Sequence, residues 1–459
     1  MRGVGSADGS FAPDGRSDRA FGEPRLRLTS LHLAIVVLCA LGLACEVMES
    51  VISYALSVEF SSPPHQVAPC QLSLLLGSIA AGGAVGAPLL GWLADRSGRR
   101  LALILSLFVF ALTSLLAAAS PDVAWLTFFR VLSGMALGAY PPLMATYLSD
   151  VLPAARRGML ILLVGAIGVL GAPAVVLLIR TLTPLQPFGL DGWRCALIIG
   201  AVGAAATGAA FCTLPESPRW LAAAERFEAA VDAYNRFFRH AGYEAVRPDA
   251  RLHAPVAGVE RASFWFGAAR AYRRRTAVLC ALYFLAAWGM NSFPLLSGAV
   301  LVEKGFRVAD SLLYLAVSLF GPSIGLLLAA TFVDRIERRT TLALCAAAMA
   351  ATGIWFATSN APVQLMATGT AYNMMVAIYG AALSVYGAEL FPTALRATVS
   401  STAWAVNRIT SALAPLVLLP LLKSAGPLAM TAAIALAMCA SAALLLAFGE
   451  RGLSGKPVV

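Results

Sequence analysis

The sequence predicts an all-α membrane protein with twelve transmembrane helices in two pseudo-symmetric six-helix bundles. Three observations carry this. The first is composition: 59% of residues are hydrophobic, 13% are charged and the mean hydropathy is +0.77. A bilayer crossing needs about 20 mostly apolar residues. Twelve such runs follow one another at 31–58, 71–93, 101–119, 124–148, 159–179, 195–213, 277–301, 311–333, 340–357, 363–388, 398–422 and 428–448, here spans 1 to 12. The second is an internal repeat. Asp95 and Asp334, Asp150 and Glu389, Pro153 and Pro392, and Arg157 and Arg396 are each 239 residues apart, as are Tyr140 and Tyr379, and Tyr147 and Tyr386. One constant offset across separate segments marks a duplicated half. The third is charge placement. With the amino terminus inside, 27 of the 34 Lys and Arg fall in cytoplasmic segments, the bias that orients membrane proteins. The net charge of +10 is thereby explained without nucleic acid.

The expected organisation is a disordered cytoplasmic tail over 1–28, an amino-terminal bundle over 29–215, a cytoplasmic linker over 216–275, a carboxy-terminal bundle over 276–450 and a short cytoplasmic tail over 451–459. Gly, Ser, Asp and Arg dominate the first segment, which has no long apolar run. Span 1 is too long for a signal-peptide core and is read as retained. It carries Glu46 and Glu49, three residues apart and so on one helix face. Ionisable groups at membrane depth are costly and mark function by default. Span 2 carries Gly77, Gly82, Gly83 and Gly86, read as sites of close helix approach. Span 4 contains Arg130. Its depth, counted at 1.5 Å per residue, is similar to that of Glu46, which leaves room for a carboxylate–guanidinium contact between the two.

The segment between spans 2 and 3 is GWLADRSGRR, Gly91 to Arg100, with Asp95, Arg96, Arg99 and Arg100 as its charges and Gly91 and Gly98 as its turning residues. It resembles the signature loop of the major facilitator superfamily of transporters. A degenerate copy between spans 8 and 9 keeps Asp334, Arg335, Arg338 and Arg339 but has Ala330 and Glu337 in place of the glycines. DVLPAARRG (Asp150 to Gly158) and ELFPTALRA (Glu389 to Ala397) are similar to the superfamily's acid-x-x-Pro-x-x-x-Arg loops. PESPRWL, with Glu216 and Arg219, resembles a string of the sugar porters, the organic-ion transporters and the synaptic-vesicle-protein-related transporters. The resemblance implies a cytoplasmic ion-pair cluster of Asp95, Asp150, Arg157, Glu216, Arg219, Glu389 and Arg396 with the signature loops. Such a cluster would lock the inner gate in one conformation and separate in the other; the alternative is that these charges serve topology alone.

In the linker, ERFEAAVDAYNRFFRH has the apolar spacing of an amphipathic surface helix. In the second half, WGMNSFP interrupts span 7, and Asn291, Ser292 and Pro294 are expected to loosen its backbone. Span 10 presents Tyr372, Asn373 and Tyr379, readable either as interhelical glue or as pathway lining. Arg408 in span 11 lies near the midplane and has no acid at that depth in spans 7, 8, 10 or 11. A carboxylate substrate would relieve it through a two-pronged contact. The alternative is that Glu46 or Glu49 reaches across to it.

These features exclude most other classes. No Gly-rich phosphate loop appears, and no nucleophile–base pair suggests an enzyme. The eight cysteines lie mostly in apolar runs and form no disulfide framework. No histidine lies at membrane depth, so neither a metal site nor a histidine relay is expected, and no cofactor. What remains is a secondary transporter, multi-pass in the plasma (bacterial inner) membrane, monomeric, with a small-molecule substrate and protons as partners. Glu46 or Glu49, with Arg130, would couple the proton. Asn291, Tyr372, Asn373, Tyr379 and Arg408 would bind the substrate. The resemblance is strongest to the synaptic-vesicle-protein-related and organic-ion branch, including bacterial nicotinate and aromatic-acid carriers, and implies an organic anion. A sugar or organic-cation porter, a drug/proton antiporter and a non-transporting sensor are the alternatives.

Overall fold

The computed structural model describes residues 28–63, 66–152, 154–238, 272–332, 337–391 and 393–449. Both expected tails, most of the linker, and Asp334 and Arg335 lie outside the described residues, as does the side chain of Arg396. Every regular element described is helical. Ten stretches are long and apolar enough to cross a membrane. One of them, Thr402–Phe448, has 47 residues, about 70 Å of helix against a hydrocarbon core of about 30 Å. It breaks at Gly426, whose φ of 83° is left-handed and tolerated by glycine. It is therefore spans 11 and 12 joined end to end. Span 10, Pro362–Glu389, completes the twelve.

The remaining spans are Ser30–Glu59, Pro69–Ser97, Arg99–Ala118, Val123–Leu137 with Tyr140–Val151, Ala154–Val169 with Gly171–Leu185, Gly192–Phe211, Arg273–Ala287 with Phe293–Glu303, Val308–Ser318 with Gly321–Phe332, and Arg338–Thr358. The turn between spans 2 and 3 corrects the sequence reading. The helix of span 2 runs on through Asp95 to Ser97, and Gly98 alone, at φ 108°, reverses the chain before Arg99. Gly91 lies inside the helix with open space around it. In span 7, Trp288–Ser292 forms a π turn, as the loosened WGMNSFP segment led one to expect; Pro294 supplies no N–H to the ladder. The linker begins with helices Pro218–Ala223 and Phe227–Phe238, the second of these on the segment read as amphipathic. The Thr29 hydroxyl donates to the carbonyl of Phe237 at 3.3 Å, and His32 reaches the Val151 carbonyl at 3.2 Å. This end of span 1 is thus tied to both span 4 and the linker.

The glycines of span 2 meet span 4 directly. A Cβ at Gly82 or Gly86 would overlap the carbonyls of Val131 or Met135, and one at Gly138 would strike Gly83. These are close backbone approaches of the kind small residues allow within a membrane. The two bundles meet mainly at the end remote from the Arg-rich segments, here the far end. There Gly77 lies against the backbone of Ala412, Gly298 against Val58, and Ser73 donates to the Pro415 carbonyl at 2.9 Å. Arg180 donates to Ala309 at 3.0 Å.

Burial repeats this asymmetry. One apolar core joins Ile52, Leu56 and Val175 of the first bundle to Leu296, Val300 and Leu418 of the second. A separate core, with Ile35, Leu103, Leu148 and Phe237, belongs to the first bundle and linker alone and lies toward the basic end. Among the described residues, therefore, the bundles share a core at the far end and have separate cores toward the basic end, where Ala154–Val169 and Gly321–Phe332 still adjoin. Gly77→Ile should obstruct the far-end contact. Spin labels at the exposed Leu185 and Val363, in a background without native cysteines, should gain a longer-distance population by electron–electron resonance. An unchanged distribution would mean that the Gly77 contact does not set closure.

Candidate functional site

Two of the ionisable groups named from the sequence meet inside the membrane as a pair. Arg130 Nη1 lies 3.2 Å from Glu49 Oε1, with side chains 0% and 1% exposed. Arg130 Nη2 donates to the Glu49 carbonyl at 3.1 Å and to Ser53 at 2.6 Å. Ser114 donates to the other carboxylate oxygen at 3.2 Å and is itself within 3.2 Å of the Leu197 carbonyl. The acid that meets Arg130 is thus Glu49 and not Glu46, because the rotation of span 1 turns Glu49 toward span 4. Spans 1, 3, 4 and 6 all contribute to this network, so it fixes the first bundle as well as satisfying its charges.

Glu46 has much less. Ser50 on its own helix donates to it at 3.4 Å, a long contact, and the charge it feels is that of Arg408. Arg408 comes from the other bundle. It reaches toward Gly83, where an added Cβ would come within 3.8 Å of its Nη1, and its guanidinium sits 5.3 Å from the centre of the Trp404 ring. Its Nε is buried without a hydrogen-bond partner, and among the described residues no ion pair forms to it. A half-buried guanidinium with one carboxyl nearby and none in contact therefore stands where the bundles part. Tyr54 feels both charges.

The other expected substrate residues divide. Asn291 is near Arg408, but its amide donates to Asn407 at 3.1 Å and to Ser411 at 2.7 Å, while Asn407 donates to the Tyr283 carbonyl at 2.9 Å. These bonds tie the π turn of span 7 to span 11. Tyr372, Asn373 and Tyr379 are not brought to this place. Tyr372 is fully buried, stacked on Phe293 at 3.8 Å, and donates to the Gly289 carbonyl at 3.0 Å. Asn373 donates to Gly369 at 2.9 Å, and Tyr379 pairs with Ser441 at 2.8 Å. Tyr372 and Tyr379 thus bond across to spans 7 and 12, whereas Asn373 bonds within its own helix. Asn407, Ser411 and Trp404 are participants the sequence reading passed over; a polar residue beside Arg408 in an apolar span was the available signal.

At the basic end, the ion pairs among the described residues lie within one bundle or the other. Asp95 pairs with Arg99 at 3.0 Å, and its carbonyl accepts from Trp220 at 3.0 Å. Arg96 lies over Trp92. Glu216 accepts from the Arg100 backbone at 3.0 Å while the Arg100 side chain caps the carbonyls of Phe211 and Cys212. Asp150 accepts from Ser217 at 2.8 Å and feels the charges of Arg99, Arg219 and Arg157. In the second bundle Arg338 faces Glu389 at 3.6 Å. Asp150 and Glu216 meet partners on neighbouring segments, whereas Asp95 finds its ion-pair partner one turn on in the chain.

Residues 33–449 match the sugar (and other) transporter family. The chain belongs to that family, within the major facilitator superfamily. It is 28% identical to the niacin transporter NiaP of Acinetobacter baylyi over 73% of this chain and 75% of that protein. It is 31% identical to an arabinose-proton symporter of Bacillus subtilis over 47% and 48%. The inward-open xylose transporter XylE of E. coli superposes with a TM-score of 0.75 at 18% identity, covering 93% of this chain and 98% of that one. The transporter is thus a multi-pass membrane protein and not an enzyme.

Removing one member of the Glu49–Arg130 pair leaves the other buried and uncompensated, at a cost of roughly 3–5 kcal/mol. Arg130→Ala and Glu49→Ala should each lower the melting temperature in detergent, and the double variant should recover much of that loss. A double variant as unstable as the sum of the singles would deny that the pair acts as a unit.

Proposed function

We propose that this transporter is a proton-coupled symporter of small organic monocarboxylates, aromatic ones included, working by alternating access. The observation that carries the reading is Arg408, near the midplane, half-buried where the bundles part and without an ion-pair partner. A guanidinium is expensive to desolvate alone, and a carboxylate matches its planar fork. Trp404 beside it offers a face to an aromatic ring. The niacin transporter among the relatives supports this substrate class, as well as a place in the organic-ion and synaptic-vesicle-protein-related branch.

A sugar is the second reading, favoured by the family description and the arabinose-proton symporter. The amides that would greet a sugar, Asn291 and Asn407, already spend their donors on each other, on Ser411 and on Tyr283. The guanidinium does not.

Glu46 is the proton carrier in this scheme. Glu49 is held by Arg130 and Ser114, whereas Glu46 has a long bond to Ser50 and shares the interface with Arg408. Neutralising Glu46 leaves Arg408 to the substrate; emptying the site returns Arg408 to Glu46. The basic end faces the cytoplasm of a bacterial inner membrane, with both termini on that side. One chain suffices, since Glu46 and Arg408 come from its two bundles.

Uptake of radiolabelled nicotinate and benzoate into proteoliposomes under an imposed pH gradient tests this. Arg408→Ala should remove uptake, and Arg408→Lys should weaken apparent affinity by about tenfold, or ~1.4 kcal/mol, for the lost fork. Glu46→Gln should abolish accumulation while sparing exchange between equal pools. Saturable arabinose or xylose uptake indifferent to Arg408→Ala would sink the reading.

A further inference from the structure

Tyr140 opens the second segment of span 4, immediately past the joint at Gly138 and Ala139 that separates it from the segment carrying Arg130. It is fully buried, and its hydroxyl has no hydrogen-bond partner among the described residues. A buried, unpaired hydroxyl is uncommon and asks for an explanation. Its location supplies one. The hydroxyl occupies the space that a side chain at residue 42 would fill, and only Gly42 leaves that space open. Gly42 lies one turn before Glu46 on the same face of span 1. Helical side chains can lean back over the turn that precedes them, which puts this hydroxyl on the side open to a rotated Glu46, and Tyr140 feels its charge.

We propose that Tyr140 is a positioning residue for the Glu46 carboxylate, giving it a second resting place. In the conformation seen here the carboxyl is turned up toward Ser50. Turned down by side-chain rotation alone, it would accept a hydrogen bond from the Tyr140 hydroxyl. That bond is stronger to the charged acceptor than to the neutral acid, so it favours release of the proton. The other charge acting on Glu46 is Arg408 of span 11, with Tyr54 of its own helix feeling both. Cys39 and Cys45 lie beside Tyr140. Spans 2, 5, 6, 7 and 8, which also pack on span 1, hold their nearest ionisable groups toward their ends, among them Asp95, Arg180, Arg194, Glu303 and Asp310.

The inference rests on Glu46 being the proton carrier, and its test separates the two. Infrared titration of the intact protein in lipid follows the carbonyl stretch of the protonated acid, assigned as the band lost in Glu46→Gln. Tyr140→Phe keeps the ring against Gly42 and deletes only the hydroxyl. Without that bond the acid keeps its proton to higher pH, so the midpoint should rise by about one unit. Gly42→Ala, whose methyl group displaces the hydroxyl, should shift it the same way and decides the matter should the first variant fold poorly. An unchanged midpoint overturns the role of Tyr140 and leaves Glu46 as carrier. Absence of any Glu46-dependent band overturns both.

Discussion

A charge buried in hydrocarbon has to be answered by another, and the first bundle is arranged around one such answer. Arg130 and Glu49 face each other from spans 4 and 1 with almost no solvent exposure. Every remaining polar atom of Glu49 is engaged, by Ser114 on span 3 and by the guanidinium on its backbone carbonyl. Because four helices supply or touch these groups, their rotation about their own axes is fixed. That fixes the direction in which Glu46, three residues away, presents its carboxyl. The unpaired acid is placed by the paired one.

The second bundle solves its polar problem differently. Its span 7 gives up regular helix at Trp288–Ser292, and the amides of Asn291 and Asn407 bind that irregular turn to span 11. Span 11 is thereby held with Arg408 facing the first bundle. The guanidinium has an aromatic ring and a distant carboxyl for company but no bond for its Nε. One bundle thus carries a closed ion pair and the other an open charge, and they meet where the cores part company. Movement between the bundles is permitted by the same geometry. Far-end contact includes the bare approach of Gly77 to the Ala412 backbone and of Gly298 to the Val58 side chain, while among the described residues the basic-end ion pairs lie within each bundle.

Much of this was legible before any coordinates. Length and apolarity alone separate twelve runs, because a bilayer imposes one thickness on every crossing. A constant offset of 239 residues reveals the duplication, since matched spacing survives even where residue types drift. Glu46, Glu49, Arg130 and Arg408 announce themselves because charge is rare at that depth. The same reasoning is weaker for groups that cost less. Tyr372, Asn373 and Tyr379 look identical in sequence whether they line a path or pin two helices, since a hydroxyl or amide can be satisfied either way.

The sequence by itself therefore determined the fold, the superfamily and which ionic groups lie at membrane depth. Tertiary structure alone decided which acid meets which base. Glu46 and Glu49 differ by less than one helical turn, and depth counted along a helix cannot distinguish them; the rotation of span 1 against span 4 does. It likewise decided that Gly98 makes the turn while Gly91 does not, because a helix ends where its neighbours stop supporting it. And it set the Tyr140 hydroxyl against a bare glycine on another span, a juxtaposition with no trace in local spacing, since the two residues share nothing but a packing contact.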